Sequence, residues 1–345
     1  MWIKNVIPLQ LKCYFRYLIS NKSSWKDFVE HIDENKRKIV VALAADYGNL
    51  GDVAITIAQE EFLRKNFPEY QIIDFPIAMT YTHMKSLKAV IKEDDIITLV
   101  GGGNMGDLYS DIEACRQFVI KQFPKNRIVS FPQTIFFEKQ ENLEKCVRVY
   151  SKHPKLTIAA RELFSYTIMN DNFNKANVLL APDIVLSMKP ELEECVRDKI
   201  LLIIRNDKEG ILSEPMREKI IEALKNTYNA ETFDTVIKTD RMSVKERQDR
   251  LRTLLMRINS SSVVVTNRLH GMIFCAITGT PCVVLPIKGD KIKGVLQLVG
   301  ELNYIKYCPS YDLEVIQQTV AEVQKSIPNM LNLDVQFEPL LKAIR

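Results

Sequence analysis

An arginine and a histidine two residues apart, in Arg268-Leu269-His270-Gly271, carry the most distinctive chemistry in this chain. A guanidinium holds a carboxylate or phosphate through parallel hydrogen bonds, and an imidazole titrates near neutral pH and suits general acid or base work. The pair follows an apolar β-branched run at 262–266. It precedes Met272, Ile273, Ala276 and Ile277 at helical spacing, before Gly279 and Pro281 break the chain and a strand resumes at 282–285. In an open parallel sheet, ligands bind beyond the carboxyl ends of strands. A helix beginning near His270 adds free N–H groups and a positive dipole end. The expectation is an anionic substrate and a proton transfer, with His270 and Arg268 as the catalytic pair.

Other candidates sit at similar junctions. Arg205 follows an apolar run at 200–204, and Arg161-Glu162 follows one at 156–160. For each, a cation lining a cleft and a surface salt bridge are alternatives. Asp183, after Pro182, either lines an interdomain cleft or caps a turn. In Asp46-Tyr47-Gly48-Asn49-Leu50-Gly51-Asp52 the glycines allow a tight turn and close approach of a ligand, while Asn49 or Asp52 can cap the next helix. In Gly101-Gly102-Gly103-Asn104-Met105-Gly106-Asp107, the residues Gly101, Gly103 and Gly106 match the dinucleotide fingerprint G-x-G-x-x-G. That fingerprint needs an acid at the end of the next strand to hold a ribose. Here the next strand, 127–131, ends in Pro132-Gln133, and the motif follows a late strand. A glycine turn bringing substrate to the backbone at Gly103 and Asn104 is expected instead.

The elements that must position these residues alternate from Lys38 onward. Strands are expected at 39–44, 71–75, 96–100, 127–131, 156–160, 178–180, 200–204 and 233–237, with helices at 52–66, 84–91, 109–123 and 243–259. The last carries Val244, Leu251, Leu254, Leu255 and Ile258 on one stripe. Such alternation predicts an α/β fold with parallel sheets. Pro182 and Asp183 close the first half, and the polar stretch 187–197 reads as a linker. The organisation expected is an N-terminal extension (1–37), an N-terminal Rossmann-like domain (38–188), a C-terminal Rossmann-like domain (198–330) and a C-terminal tail (331–345), the two domains facing across a cleft.

Composition excludes several classes. A chain of 345 residues is too long for one ordinary core. Net charge is only +4, so no nucleic-acid partner is expected. The seven cysteines are scattered without C-x-x-C spacing, which argues against a zinc site or disulfide framework and fits a reducing cytoplasm. No metal site is expected. No stretch reaches the roughly 18 uncharged apolar residues of a membrane span. The first residues are apolar and aromatic (Trp2, Ile3, Val6, Ile7, Phe15) and interrupted by Lys4, Lys12 and Arg16, with no cleavage site. A basic, aromatic leader of this kind can make peripheral contact with an anionic membrane surface. The plainer expectation is an extension packed on the main body.

Together, DYGNLGDVAI (46–55), LVGGGNMGD (99–107), AARELFSY (159–166), APDIVLSM (181–188) and TNRLHGMIFCAITGTPCVVLP (266–286) resemble the polysaccharide pyruvyl transferase family. The resemblance implies a GT-B-like pair of Rossmann-like domains and phosphoenolpyruvate as donor. It implies a sugar acceptor in a surface or extracellular polysaccharide, with pyruvate becoming a cyclic ketal across two hydroxyls as phosphate leaves. The family's catalytic histidine and donor-binding arginine carry over onto His270 and Arg268. Arg205 resembles a further donor contact, and Leu269 lies with them. Asn49, Asp52 and Asn104 resemble acceptor or cleft residues, a group to which Gly103, Arg161 and Asp183 are added by position. The donor brings the pyruvate, so no cofactor is implied. Acceptors of this class are often lipid-linked, which would bring a cytoplasmic enzyme to the inner membrane face. Two other readings stand beside this one. One is a glycosyltransferase using a nucleotide sugar, for which Asp290 is a candidate ribose ligand. The other is a non-catalytic sugar-binding subunit.

Overall fold

The computed structural model describes residues 9–20, 31–207, 209–239, 241–289, 291–299, 302–329 and 331–345. The earliest residues of the leader, and Asp290, lie outside them. The chain runs α1 (Leu9–Ile19), β1 (Lys38–Ala44), α2 (Leu50–Asn66), β2 (Gln71–Pro76), α3 (Met84–Val90), β3 (Ile96–Leu99), β4 (Gly102–Gly106), α4 (Ser110–Gln122), β5 (Arg127–Phe136), α5 (Gln140–Tyr150), β6 (Leu156–Ala160), α6 (Leu163–Asn172) and β7 (Asn177–Leu180). It continues with β8 (Lys199–Ile203), α7 (Glu214–Thr227), β9 (Ala230–Thr232), α8 (Val244–Asn259), β10 (Ser261–Thr266), α9 (Leu269–Thr278), β11 (Cys282–Val284), α10 (Lys291–Val299), β12 (Ile305–Tyr307), α11 (Leu313–Gln324) and α12 (Glu338–Ile344).

The chain divides into two compact units. One contains Ile55–Ile184 and Val335–Arg345 with the chain up to Asp46; the other contains Tyr47–Ala54 and Val185–Asp334. In the first, the strand order is β2-β1-β3-β5-β6-β7, with β4 also pairing β5. In the second it is β12-β11-β10-β8-β9. Every pairing is parallel, as in Ile39↔Ile96 and Val264↔Leu201. Parallel neighbours need crossovers, which the helices supply, so both sheet faces are covered and the central strands are mostly apolar. Strand β1 is buried along its whole length, and Val263, Val264 and Val265 of β10 are fully buried. The expected α/β class and two Rossmann-like sheets are both present.

Three local expectations need correction. The glycine run 101–107 is not a turn into a helix. Gly102–Gly106 forms β4 beside β5, with Gly102 and Gly106 at φ 117° and 129°. A Cβ at Gly106 would lie 1.8 Å from the Phe136 carbonyl oxygen, so the glycines let two backbones pack side by side. The strand expected at 233–237 lies earlier, at Ala230–Thr232. The backbone beyond it pairs instead with the loop before α2: Ile237 N–H donates to Gly48 O (2.8 Å) and Leu50 N–H to Thr235 O (2.9 Å). On α8 the stripe Leu251, Leu254, Leu255 and Ile258 is buried, but Val244 is exposed in the first turn, where Ser243 and Glu246 form a capping box.

Candidate functional site

In the second unit the site is built at the carboxyl ends of β8 and β10. Thr266 closes β10 with its hydroxyl donating to Ile203 O (2.9 Å) and accepting from Arg268 N–H (3.0 Å). Asn267 accepts from Arg205 N–H (2.8 Å) and donates to Tyr311 Oη (3.0 Å), which donates to Pro286 O (2.6 Å). These bonds tie the two strand ends together. A Cβ at Gly271 would lie 2.5 Å from Thr266 Oγ1, so only glycine lets α9 start this close to β10. Leu269 is buried in the first turn, leaving its backbone N–H at the helix start as what it can offer a ligand.

Arg268 is the extended residue before α9, and its guanidinium is buried. Its Nη1 donates to Asp207 Oδ2 (3.2 Å) and its Nη2 to Asp234 Oδ1 (2.9 Å). Arg205 grips the same Asp207 through Nε to Oδ1 (2.7 Å) and Nη2 to Oδ2 (3.0 Å), a bidentate pair. Its Nη1 lies 2.5 Å from Glu209 Oε2, as does Lys291 Nζ. Arg205 and Arg268 are thus brought together on one carboxylate, within a cluster of three cations and three anions. Burial alone would push the Asp207 carboxyl up, but hydrogen bonds and charge from Arg205, with the Arg268 charge, hold it below the usual range. Glu209 behaves alike: burial is outweighed by Lys291 and Arg205.

His270 sits in the first turn of α9, partly buried, its ring 6.1 Å from that of Phe274. The Asn49 loop presses against it. A Cβ at Gly51 would lie 2.5 Å from His270 Nδ1. Asn49 Oδ1 accepts from Gly51 N–H (3.0 Å) and so caps α2, and Tyr47 Oη donates to Asp52 Oδ2 (2.9 Å). The loop is fixed in turn by its pairing with 235–237, next to Asp234. Asn49, Asp52, Arg205, Arg268 and His270 therefore all belong to one unit.

Gly103, Asn104, Arg161 and Asp183 belong to the other. Arg161 is buried and donates through Nη1 to Asp183 Oδ2 (2.8 Å) and through Nε to Thr134 Oγ1 (2.8 Å). A Cβ at Gly103 would lie 2.9 Å from its Nη2. Asn104 accepts from Arg116, which is wholly buried on Glu113 (2.7 Å). Burial raises the neighbouring Glu162 carboxyl against the charge of Arg161. His153, buried on Phe123 O (2.9 Å), is structural.

No motif in the sequence marks Asp207, Glu209, Asp234 or Lys291. The first two follow Arg205 in the loop after β8, at the same sheet edge, and that position was the available signal. Among the described residues no group of His, Cys, Asp and Glu side chains could hold a metal.

Comparison with known proteins places the chain in a family and matches its fold. The polysaccharide pyruvyl transferase family matches residues 49–289. General stress protein 30 of Bacillus subtilis is 35% identical over 90% of this chain and 92% of its own length. Pyruvyl transferase 1 of Schizosaccharomyces pombe is 30% identical over 75% of this chain and 68% of its own. An uncharacterised Klebsiella pneumoniae protein of solved structure shares the fold, with a TM-score of 0.56 at 18% identity, covering 88% of this chain and 100% of that one.

Proposed function

The chain belongs to the polysaccharide pyruvyl transferase family, and we propose that it transfers pyruvate from phosphoenolpyruvate to two hydroxyls of a sugar. The donor's C3 methylene takes a proton, leaving a cation-like centre at C2. One sugar hydroxyl forms a C2–O bond and loses its proton. The C2–O bond to phosphate breaks, and a second hydroxyl adds with loss of its proton to the departing phosphate. One donor and one diol give one cyclic ketal and one phosphate. The donor supplies the pyruvate, so the reaction as written needs no resident cofactor.

The observation that carries this reading is the pairing of Arg205 and Arg268 on Asp207, with Lys291 in the same cluster and His270 at the adjoining helix start. Two guanidiniums and an ammonium suit a substrate bearing both phosphate and carboxylate. His270 is assigned to proton transfer, Arg268 and Arg205 to the donor's anionic groups, and Leu269 to the helix-start N–H groups. Asn49, which caps α2, and Asp52, in its first turn beside Gly51, are assigned to the acceptor. Gly103, Asn104, Arg161 and Asp183 are assigned to the acceptor as well, although Arg161 and Asp183 already satisfy one another.

The test is phosphate release from phosphoenolpyruvate, with a polysaccharide stripped of ketals by mild acid as acceptor. Acceptor-dependent release and a ketal methyl signal in the product are expected. His270→Gln should fall close to background while the protein stays folded. Turnover of a nucleotide sugar with no release from phosphoenolpyruvate, or a near wild-type rate for His270→Gln, would overturn the assignment.

A further inference from the structure

Helix α1 carries its apolar face outward. Tyr14, Phe15, Leu18 and Ile19 are 49%, 61%, 53% and 67% exposed and occupy one continuous arc of the helix. The opposite face anchors it: the Tyr17 ring meets Phe118 of α4 edge-on at 5.1 Å, and Tyr17 Oη donates to Gln122 (3.2 Å). Lys85 Nζ donates to Leu18 O (2.8 Å) and Ser20 O (2.9 Å), closing the helix end. The helix is therefore docked by its polar-aromatic side and leaves a row of large apolar groups in water, which soluble surfaces seldom do without a partner.

Helix α4 also borders a cavity of about 530 Å³ lined by Lys121, Lys145, Arg148 and Lys152, with no carboxylate in its lining. Lys145 and Arg148 are three residues apart on α5 and so share a face. Arg148 has an exposed neighbour in Glu144 at 3.9 Å. His153, in the cavity wall, is committed to Phe123 O and Lys155 N–H. On α4, Lys121 projects between the side that holds α1 (Phe118, Gln122) and the side that lines the cavity (Gln117, Ile120). Helix α4 thus carries α1 on one side and the cationic cavity on the adjoining side, within one unit.

We propose that this face docks the protein on an anionic phospholipid bilayer, α1 lying in the interface and the cavity taking lipid phosphates. Aromatic and aliphatic groups next to a basic cluster match the two attractions such a surface offers. Among the described residues no helix is long and apolar enough to cross a membrane, and an interfacial contact asks for none. The inference is independent of pyruvyl transfer and uses none of the residues placed in that site.

The test is co-sedimentation of the full chain with vesicles of phosphatidylglycerol and phosphatidylcholine, against phosphatidylcholine alone. Binding to the anionic vesicles, weakened by salt, is expected. Phe15→Ser with Leu18→Ser, and separately Lys145→Glu with Arg148→Glu, should each weaken it about tenfold or more. Both variants change exposed side chains, and an unchanged melting curve will show that the body stays folded. No binding at low salt, or binding that neither variant alters, overturns the proposal. So does a dimer in solution that Phe15→Ser with Leu18→Ser dissolves without any vesicle binding, which would assign the face to a second copy.

Discussion

Gly51→Ala separates the position of His270 from the stability of the fold. The added Cβ would lie 2.5 Å from Nδ1 and 2.9 Å from Cγ, about 0.9 Å short of the 3.4 Å where ordinary contact begins. The loop cannot retreat easily, since Gly48 O and Leu50 N–H are bonded to 235–237 and a Cβ at Gly48 would already strike Ile237 O at 1.8 Å. The imidazole must move instead, at a rotamer cost of about 0.5–1.5 kcal/mol. Alanine in the first turn of α2 returns up to about 1 kcal/mol of helix propensity, so the melting temperature should change little. Misplacing a catalytic group by about 1 Å costs on the order of 10²-fold in rate. Acceptor-dependent phosphate release should fall by about that factor, while the donor dissociation constant stays within about twofold because Arg205 and Arg268 are untouched. In a His270→Gln background the same change should cost little further. Wild-type turnover by a folded Gly51→Ala protein would refute the claim that His270 acts from this position.

Arg268→Ala should raise the donor Michaelis constant about 10- to 150-fold, the loss of charge-assisted hydrogen bonds of about 1.5–3 kcal/mol; an unchanged donor value with a changed acceptor value would reassign it. Asp207 is held below its unfolded pKa of about 3.9 despite burial, so its contribution to stability is present above that pH and is lost as pH falls through the folded value. Asp207→Asn should therefore flatten the acid limb of a melting-temperature profile, and an unaltered limb would show the pairing contributes nothing there. Gly106→Ala, at φ 129° and against Phe136 O, should destabilise by about 3 kcal/mol or more in urea unfolding.

Periodicity made the central strands legible, because a parallel strand buried on both faces carries an apolar run, as 39–44 and 263–265 do. The strand-to-helix junctions were legible too, which is why Arg205 and Arg268 were found as separate candidates. Their shared partner was not. Asp207 and Asp234 are ordinary loop acids in sequence, and only the fold brings them onto guanidiniums from two strand ends. Gly102–Gly106 misled because glycine spacing that suits a phosphate turn suits equally a strand pressed against its neighbour. The stretch 233–237 has a strand-like composition, but a partner from residues 48–50, some 185 positions earlier, captures its hydrogen bonds in an isolated bridge. Local preference sets backbone shape; it does not choose the partner.

The cluster's charge balance bears on how an anionic donor enters. Two buried guanidiniums and a partly buried ammonium without counterions would destabilise the empty site, so the carboxylates are needed until substrate arrives. They are not equally held. The Glu209 side chain is 11% exposed and touches both Arg205 and Lys291, whereas Asp207 is 34% and Asp234 49% exposed, and Asp234 has Arg268 alone among these cations. Asp234 is therefore the carboxylate that returns to water at least cost. A guanidinium has five N–H donors, and Arg268 commits two of them to these carboxylates, so donor oxygens can bind beside Asp207 once Asp234 withdraws. Whether Asp234 withdraws or stays, its charge opposes that of the donor. Asp234→Asn should thus tighten donor binding by about 0.5–1 kcal/mol, a factor of about 2–5, with the gain shrinking as salt rises. Weaker donor binding in titration calorimetry would mean that Asp234 orients Arg268, and that the resting contact is part of the binding geometry and not a competitor for it.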